Sequence, residues 1–504
     1  MTSAGTTSRQ GARRWPSLPR LTPGVVAALF GILCGFVALV LSESATRWQV
    51  YALAGLVVAV LTLAFGVRRR QLVTYFIVGL SLNVHYYLTH PEEVLYRGNS
   101  SPTYFSIPLV LIPAAVLAGW MALEAMTDRT RLRWGLPVSK FALLVIATAT
   151  ISAMLSSVTR YGIYCVVEML QYFFIYLVAV NIVRTEDDLA LVIRLLLVTL
   201  SVQCAIFLVQ TTWGTTFTLA GRTVHYGVEG ELVRASGTVG VTPAGYAIFV
   251  EPLVFTALAL WRARDSGVSR VWSGCLAAVG SVTVILTLNR SSWFALVLGI
   301  AVVEVLCRRR RIARRLPRKL AGVIILLAVV VIPLIIPRLE KAHGDDWNSR
   351  YDLMRIAVRM IAGNPIVGVG PGGYPYHLGN YTPSDFSGWL WVVHNQYLLT
   401  WAERGLLGLI AWLAWIRAGF RQAVRATTSP ARQFQAFGIG CVAGMVGLLW
   451  EYLLNLYIEF SSSALLWCLF GLLLAGNEFR AKVGSCSHST DHRRLPLREA
   501  SVGR

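Results

Sequence analysis

The stretches NPIVGVGPGGYPY (364–376) and VVHNQYLLTWAERGLLGL (392–409) decide how this chain is organised. They belong to a polar island, residues 338–394, which lies between long apolar runs. The island is rich in Gly, Pro, Asn, Asp and Tyr, and irregular backbone of this kind is not tolerated where it would face lipid. We therefore expect the island to form one large folded loop outside a bilayer, with His394 at the start of the next helix.

Apolar runs long enough to cross a bilayer recur along the whole sequence. The chain has 504 residues, of which 55% are hydrophobic and only 14% are charged, and its mean hydropathy is +0.59. The sequence predicts an all-α, polytopic transmembrane helix bundle of about 14 helices, within a range of about 12 to 14. The predicted spans are 25–42, 49–67, 72–88, 104–126, 137–157, 163–183, 189–210, 242–261, 272–288, 292–307, 320–337, 396–416, 434–456 and 460–477.

The distribution of basic residues orients these spans. With the N-terminus in the cytoplasm, most of the 46 Lys and Arg residues fall in cytoplasmic turns, as the positive-inside rule requires. The net charge of +21 therefore reflects topology and contact with anionic membrane lipids, and nucleic-acid binding is not expected. The predicted organisation is a cytoplasmic tail (1–24), helices over 25–337 with an outer loop at 211–241, a large extracytoplasmic loop with short helices (338–395), helices over 396–477, and a disordered cytoplasmic tail (478–504).

The large loop contains a helix and several aromatic residues. SRYDLMRIAVRMIAGNP (349–365) has helical periodicity, and we expect an amphipathic helix that rests on the membrane face. Gly and Pro in GVGPGG (368–373) indicate tight turns, because this segment lacks the Lys-Ser/Thr ending of a phosphate loop. The aromatic residues suit either the lipid interface or stacking on sugar rings; they are Tyr374, Tyr376, Tyr381, Trp389 and Trp391.

Three arginines are candidate anion ligands. Arg290 interrupts an apolar run, and an unpaired Arg deep in lipid costs about 2.5 kcal/mol or more. It is either a snorkelling turn residue or a fixed cation that faces an anionic substrate, and guanidinium matches phosphate oxygens well. Arg234 at the outer end of the eighth helix supplies a second half of a diphosphate clamp unless it is an exposed loop charge, and Arg350 is a third candidate.

His394 is the candidate catalytic residue. An imidazole with its ordinary pKa of about 6.5 suits a general base that accepts a proton from a sugar hydroxyl. The alternative is a helix-capping or interfacial histidine. We expect no metal site and no cofactor, because the outer loops hold no Asp-x-Asp motif, the adjacent Asp345 and Asp346 make a poor metal site unaided, and the eight cysteines form no CxxC pair.

Residues 230–410 resemble the O-antigen ligase and O-antigen polymerase superfamily of bacterial membrane glycosyltransferases. The resemblance rests on RASGTVGVTPAGYAIF around Arg234, NRSSWFALVLG around Arg290, and the loop from SRYDL through NPIVGVGPGGY to HNQYLLTWAERGLLGL. It implies transfer of a glycan from undecaprenyl pyrophosphate to an acceptor hydroxyl, with inversion and without a metal. It also implies that Arg234 and Arg290 hold the diphosphate and that His394 activates the acceptor.

The resemblance further implies a multi-pass protein of the bacterial inner membrane whose active site faces the periplasm. Its partners are the lipid-linked glycan donor, a glycan or lipid-linked acceptor, and membrane lipids, with a chain-length regulator protein as a further candidate. The chain length and the number of spans favour a polymerase of O-antigen or exopolysaccharide repeat units. A ligase that transfers the chain to lipid A-core or another terminal acceptor is the alternative.

A polysaccharide or lipid transporter, such as a flippase, is the main interpretation from another class. It also accounts for the many helices and for an intramembrane Arg. Transporters usually show internal inverted repeats and broken helices in matching halves, and we find neither in the sequence. A structural scaffold for a polysaccharide assembly complex is a further alternative.

Overall fold

A computed structural model describes residues 69–87, 105–127, 131–214, 217–219, 222–224, 227–229, 232–240, 242–313, 344–384, 386, 391–456 and 460–491. By its internal contacts the chain divides into two compact units, Met1–Gln71 and Leu72–Arg504. Of the first unit, only Arg69, Arg70 and Gln71 are described, and they open a helix.

The described residues are predominantly helical, which confirms the predicted all-α bundle. The helices are α1 (Arg69–Gly79), α2 (Leu111–Thr127), α3 (Leu136–Leu155), α4 (Thr159–Ile182), α5 (Glu186–Trp213), α6 (Pro243–Arg262), α7 (Arg270–Leu286), α8 (Arg290–Arg309), α9 (Gly344–Gly363), α10 (Tyr374–Tyr381), α11 (Gln396–Ala426), α12 (Arg432–Leu454) and α13 (Phe460–Asp491). The strands form three antiparallel pairs, namely β1 (His85–Tyr87) with β2 (Ser106–Pro108), β3 (Phe217–Leu219) with β4 (Arg222–Val224), and β5 (Gly227–Glu229) with β6 (Leu232–Arg234).

Seven of the described helices are long and apolar enough to cross a membrane, so the chain is a multi-pass membrane protein. These helices are α3, α4, α5, α6, α8, α12 and the Phe460–Ala481 part of α13, while α2 and α7 are shorter apolar helices. The predicted spans 25–42, 49–67 and 320–337 lie outside the described residues.

Two predicted boundaries differ from the structure. The span expected over 72–88 is the short helix α1, which ends at Gly79. Polar groups beyond it are used in hydrogen bonds: Asn83 N donates to Thr238 O at 3.0 Å, and His85 Nδ1 pairs with Ser106 Oγ at 3.0 Å. At the other terminus, α13 continues to Asp491 although the sequence predicted disorder from residue 478, because NEFRAKV contains mainly residues that favour helix.

Ion pairs gather at one end of the bundle, which we call the basic end. There Arg184 contacts Glu124 at 2.6 Å, Arg480 contacts Glu186 at 2.8 Å, and Arg262 donates to Glu304 at 2.9 Å; Arg133 and Glu478 lie 3.9 Å apart. These arginines belong to turns that the charge distribution assigned to a single face. The structure thus groups them at a single end of the helices.

The centre of the bundle is built around α6, the second most buried of the seven spans. Helix α12 runs antiparallel to it and approaches closely where glycines face it. A Cβ on Gly440 would lie 2.4 Å from Thr256, and one on Gly444 would lie 2.6 Å from Pro252. Small residues at such crossings let membrane helices bring their backbones together.

Helix α11 is broken at Gly405, which has φ +66° and ψ −175°. The predicted span 396–416 was continuous, so the break is a feature that the sequence analysis did not predict. The reason is visible in the loop at 364–373, whose backbone lies against the break. A Cβ on Gly405 would lie 2.0 Å from Ile366 O, and a Cβ on Gly368, at φ +78°, would lie 2.4 Å from Glu403 O.

The loop replaces the helical hydrogen bonds that the break removes. Val369 N donates to Ala402 O at 2.9 Å and Gly370 N to Glu403 O at 2.8 Å. Leu406 N in turn donates to Pro365 O at 2.9 Å. From α3, Ser152 Oγ also donates to Glu403 O at 2.8 Å. The glycines of GVGPGG and of ERG (403–405) are therefore needed for a backbone-to-backbone docking, since an unpaired buried amide or carbonyl is costly.

Replacement of Gly405 with Ala should destabilise the protein. The new Cβ would meet the loop backbone, and a non-glycine residue at this φ costs about 1–3 kcal/mol before the clash is counted. The variant should lose several degrees of thermal stability in detergent, or fail to purify as a single species. Gly119→Ala is the matched control, because Gly119 is exposed on α2 with nothing within 4 Å of its added Cβ; this change should leave stability equal or slightly higher. Equal melting temperatures for both variants would contradict this interpretation.

Candidate functional site at the end of helix α12

The C-terminal end of α12 accepts hydrogen bonds from three side chains in two separate parts of the chain. The last carbonyl groups of any helix have no partner within the helix. Here Tyr397 Oη donates to Leu449 O at 3.0 Å, Asn395 Nδ2 donates to Leu453 O at 3.2 Å, and Arg350 Nη1 donates to Leu454 O at 3.3 Å. Two helices, α9 and α11, are thereby fixed to one helix terminus.

Asn455 connects this terminus to the start of α8. It follows the last residue of α12, and its backbone N–H donates to Glu451 O at 2.8 Å. Its side-chain Nδ2 donates to Glu451 Oε2 at 2.9 Å and also to Ser291 Oγ. Ser291 lies next to Arg290 in the first turn of α8, so Asn455 determines where that turn lies.

Arg290 is the first residue of α8 and is partly buried. Its neighbours hydrogen-bond to each other: Asn289 Nδ2 donates to Ser292 Oγ at 2.8 Å, and Ser291 Oγ donates to Asn289 Oδ1 at 3.0 Å. Among the residues that the structure describes, no carboxylate pairs with its guanidinium group. A helix N-terminus adds partial positive charge, so this position favours an anion.

His394 lies immediately before Asn395, the N-cap residue of α11, whose Oδ1 accepts from Leu398 N at 3.0 Å. The chain before it is anchored, because Val392 and Val393 are fully buried in the core of the large loop. His394 itself is half-buried. Since Asn395 also bonds to Leu453 O, His394 is held beside the same end of α12 as Arg350 and Ser291.

The structure describes only the backbone of Arg234. Its backbone ends strand β6, and its side chain lies outside the described residues. The next residues are held by buried glutamines of α5, with Gly237 N donating to Gln210 Oε1 at 2.8 Å. Helices α6 and α8 are parallel, because Ala263 after α6 bridges to Ala313 after α8, so Arg234 and Arg290 lie towards the same end. No described contact joins Arg234 to the other candidates.

The core of the large loop explains its helix and its aromatic residues. Leu353, Ile356 and Met360 of α9 are buried against Tyr374 and Val392. Part of the apolar surface of α9 therefore faces a protein core, whereas Tyr351 and Val358 of the same helix are exposed, and the expectation that α9 rests on the membrane face stays a prediction.

The remaining aromatic residues of the loop have individual roles. Tyr374 is fully buried and donates to Leu353 O at 3.4 Å, whereas Tyr376 stacks on Tyr161 of α4 with ring centres 4.2 Å apart. Tyr381 Oη accepts from Asn364 Nδ2 at 2.8 Å. Trp389 lies outside the described residues.

Comparison with known families gives one match. Residues 275–413 match the family model described as O-antigen ligase. This segment is therefore similar to O-antigen ligases. No curated protein matches the chain. The matched segment includes Arg290, Arg350 and His394, together with the broken part of α11, whereas Arg234 and α12 lie outside it.

The end of α12, to which the candidate residues are joined by hydrogen bonds, thus lies beyond the matched segment. Asn455, Glu451 and Tyr397 take part in the bonds described above and were not predicted as site residues. The sequence contains a signal for Glu451 and Asn455, because WEYLLN (450–455) places a carboxylate and an amide inside an otherwise apolar region. Among the described residues, no three His, Cys, Asp or Glu side chains cluster as metal ligands, and the absence of a metal requirement stays a prediction.

His377 should make stability depend on pH. It lies on α10, its Nε2 is 3.2 Å from Ser157 Oγ, and burial lowers its pKa below the usual value of 6.5. Above pH 6.5 both folded and unfolded states are neutral at this residue. As the pH falls from 6.5 through the lowered folded pKa, the unfolded state binds the proton first, so stability falls. The melting temperature of wild type should drop more steeply over this range than that of His377→Gln. Parallel curves for the two proteins would refute the assignment.

Proposed function

We propose that this chain is a membrane glycosyltransferase that transfers a glycan from undecaprenyl pyrophosphate to an acceptor sugar hydroxyl. It polymerises O-antigen or exopolysaccharide repeat units at the outer face of the bacterial inner membrane, with inversion and without a metal. One observation carries the proposal. Within a segment that matches an O-antigen ligase model, the parts of the chain that bear Arg290, Arg350 and His394 all bond to residues 449–455 at the end of α12.

The chemistry follows from the groups gathered there. The acceptor oxygen attacks the anomeric carbon from the side opposite the diphosphate, and the bond from that carbon to the diphosphate oxygen breaks with its electron pair on the oxygen. The acceptor proton passes to His394, which acts as general base. Arg290 and Arg350, with Arg234 as a further ligand, stabilise the charge that develops on the diphosphate, which is the function that a metal has in other transferases.

The match to an O-antigen ligase model is also compatible with a second class of acceptor. A ligase transfers the completed chain to lipid A-core or to another terminal acceptor, whereas a polymerase transfers it to another lipid-linked repeat unit. Both reactions require the same clamp and the same base. The nature of the product distinguishes them.

A transporter is less well supported by the break in α11. Broken helices in transporters leave half-helix ends free to bind ions or substrates. Here the carbonyl groups of Ala402 and Glu403 and the amide of Leu406 are bonded to the loop backbone. The break therefore docks the loop.

Substitution of the site residues should abolish transfer while the protein stays folded. Arg290→Ala should slow glycan transfer by about 10²–10³-fold, as expected when a charge-stabilising donor is lost. His394→Ala should slow it by about 10²–10⁴-fold, the usual contribution of a general base. Arg359→Ala is the matched control, because Arg359 is an exposed arginine of the same loop; it should retain near wild-type activity.

The assay uses purified protein in lipid with its lipid-linked repeat unit and a chelator, and product length is read on a gel. Lipid-linked polymer indicates a polymerase, and product on a core acceptor alone indicates a ligase. Undiminished transfer by His394→Ala would refute the proposed function. Equal loss in all three variants would show that the site is wrongly placed.

A further inference from the structure

Two carboxyl groups lie buried between membrane-spanning helices, directly below the candidate site. Glu251 of α6 is 2% exposed and Glu451 of α12 is 0% exposed. Acidic side chains are rare at such positions in membrane proteins and generally have a function.

Gly447 makes room for this pair. A Cβ at Gly447 would lie 3.3 Å from Glu251 Oε2 and 3.5 Å from Ala295 of α8. Gly447 lies one helical turn before Glu451, so the two residues share one face of α12. Glu251 therefore lies where α6, α8 and α12 meet, on the face of α12 that carries Glu451.

The two carboxyl groups have different partners. Glu451 Oε2 accepts from Asn455 Nδ2 at 2.9 Å, and Glu451 also hydrogen-bonds to the side chain of Ser292. Glu251 has no such donor among the described residues. The Oε1 atom of each group is buried without a hydrogen-bond partner in the described part of the chain.

No described Arg or Lys forms an ion pair with either group. This contrasts with Glu304 of α8, which contacts both Arg262 and Arg308. Two unpaired carboxylates cannot both remain ionised side by side in a low-dielectric interior. A single proton held by the pair removes this repulsion.

We propose that Glu251 and Glu451 form a proton-binding site in which Glu251 is the protonated acid and Glu451 is the carboxylate. The hydrogen-bond donors decide which group carries the proton. Asn455 and Ser292 stabilise charge on Glu451, and nothing described does so on Glu251. The charged Glu451 holds Asn455 and Ser292, and through them the first turn of α8 that bears Arg290. Glu451 is thus a positioning residue for the diphosphate clamp; this consequence rests on the proposed function, whereas the shared proton does not.

Other groups near the pair come from each neighbouring element. Cys441 of α12 and Ser462 of α13 line one cavity with Glu251. The other polar or titratable residues towards this end of the neighbouring elements are Arg290, Ser291 and Ser292 of α8, Arg350 of α9, Tyr397 of α11 and Tyr452 of α12. Helix α7 contributes no charged residue apart from Arg270 at its opposite end. Arg290 and Arg350 are the only cations in this set, and both lie at the helix termini above the pair.

Infrared spectroscopy tests the proton directly on the full-length protein in lipid at neutral pH. Glu251→Gln should remove the C=O band of one protonated carboxyl group, whereas Glu451→Gln should shift that band and keep it, because Glu251 stays neutral beside an amide. Glu304→Gln is the matched control and should leave the band unchanged, since Glu304 is ionised in its pair with arginine. A band lost in Glu451→Gln and kept in Glu251→Gln would overturn the assignment. A band unaltered in both would overturn the shared proton.

Activity supplies the second measurement. Glu251→Gln keeps a neutral polar side chain of the same size beside Glu451 and should retain transfer within about twofold. Glu251→Met has similar volume but no polar group, so the charge on Glu451 is less stabilised and transfer should fall about tenfold. If Gln and Met variants are equally active, Glu251 does not support the clamp. The infrared measurement needs no substrate, so it tests the proton-binding site independently of the proposed transferase activity.

Discussion

The structure depends on how the break in α11 satisfies its backbone. In a membrane environment, each amide or carbonyl without a partner costs several kcal/mol, so a helix can be interrupted only where other groups replace the lost bonds. Gly405 allows the interruption, and the loop from Pro365 to Gly370 supplies those groups. This docking fixes the large loop to the bundle, and the N-terminal half of α11 then brings His394 to the end of α12.

The two ends of the bundle use charge in opposite ways. At the basic end, Arg184, Arg262 and Arg480 each have a carboxylate partner, so their charges are neutralised within the protein. At the end of α12, Arg290 and Arg350 have no carboxylate partner among the described residues, and Arg350 instead donates to a backbone carbonyl. A surface that leaves guanidinium charge uncompensated next to helix N-termini is suited to a phosphate group.

The sequence predicted the features that depend on composition and local pattern. Apolar runs indicated an all-α multi-pass bundle, and the Gly- and Pro-rich island indicated a folded loop with His394 at the start of a helix. Features that depend on a partner distant in sequence were not predictable. Nothing in ERGLLGL shows that Gly405 breaks a helix until the carbonyl of Pro365 lies beside it, and Asn455 gains a role only when Ser291 lies opposite. The side-chain position of Arg234 stays a prediction.

The most direct test of the account is a cryo-electron microscopy map of the protein in lipid with a non-hydrolysable lipid-linked diphosphate glycan. The account predicts that the diphosphate lies against Arg290 and Arg350 at the end of α12, with the anomeric carbon facing His394. Diphosphate density at the basic end, or separated from His394 by the width of the bundle, would contradict it.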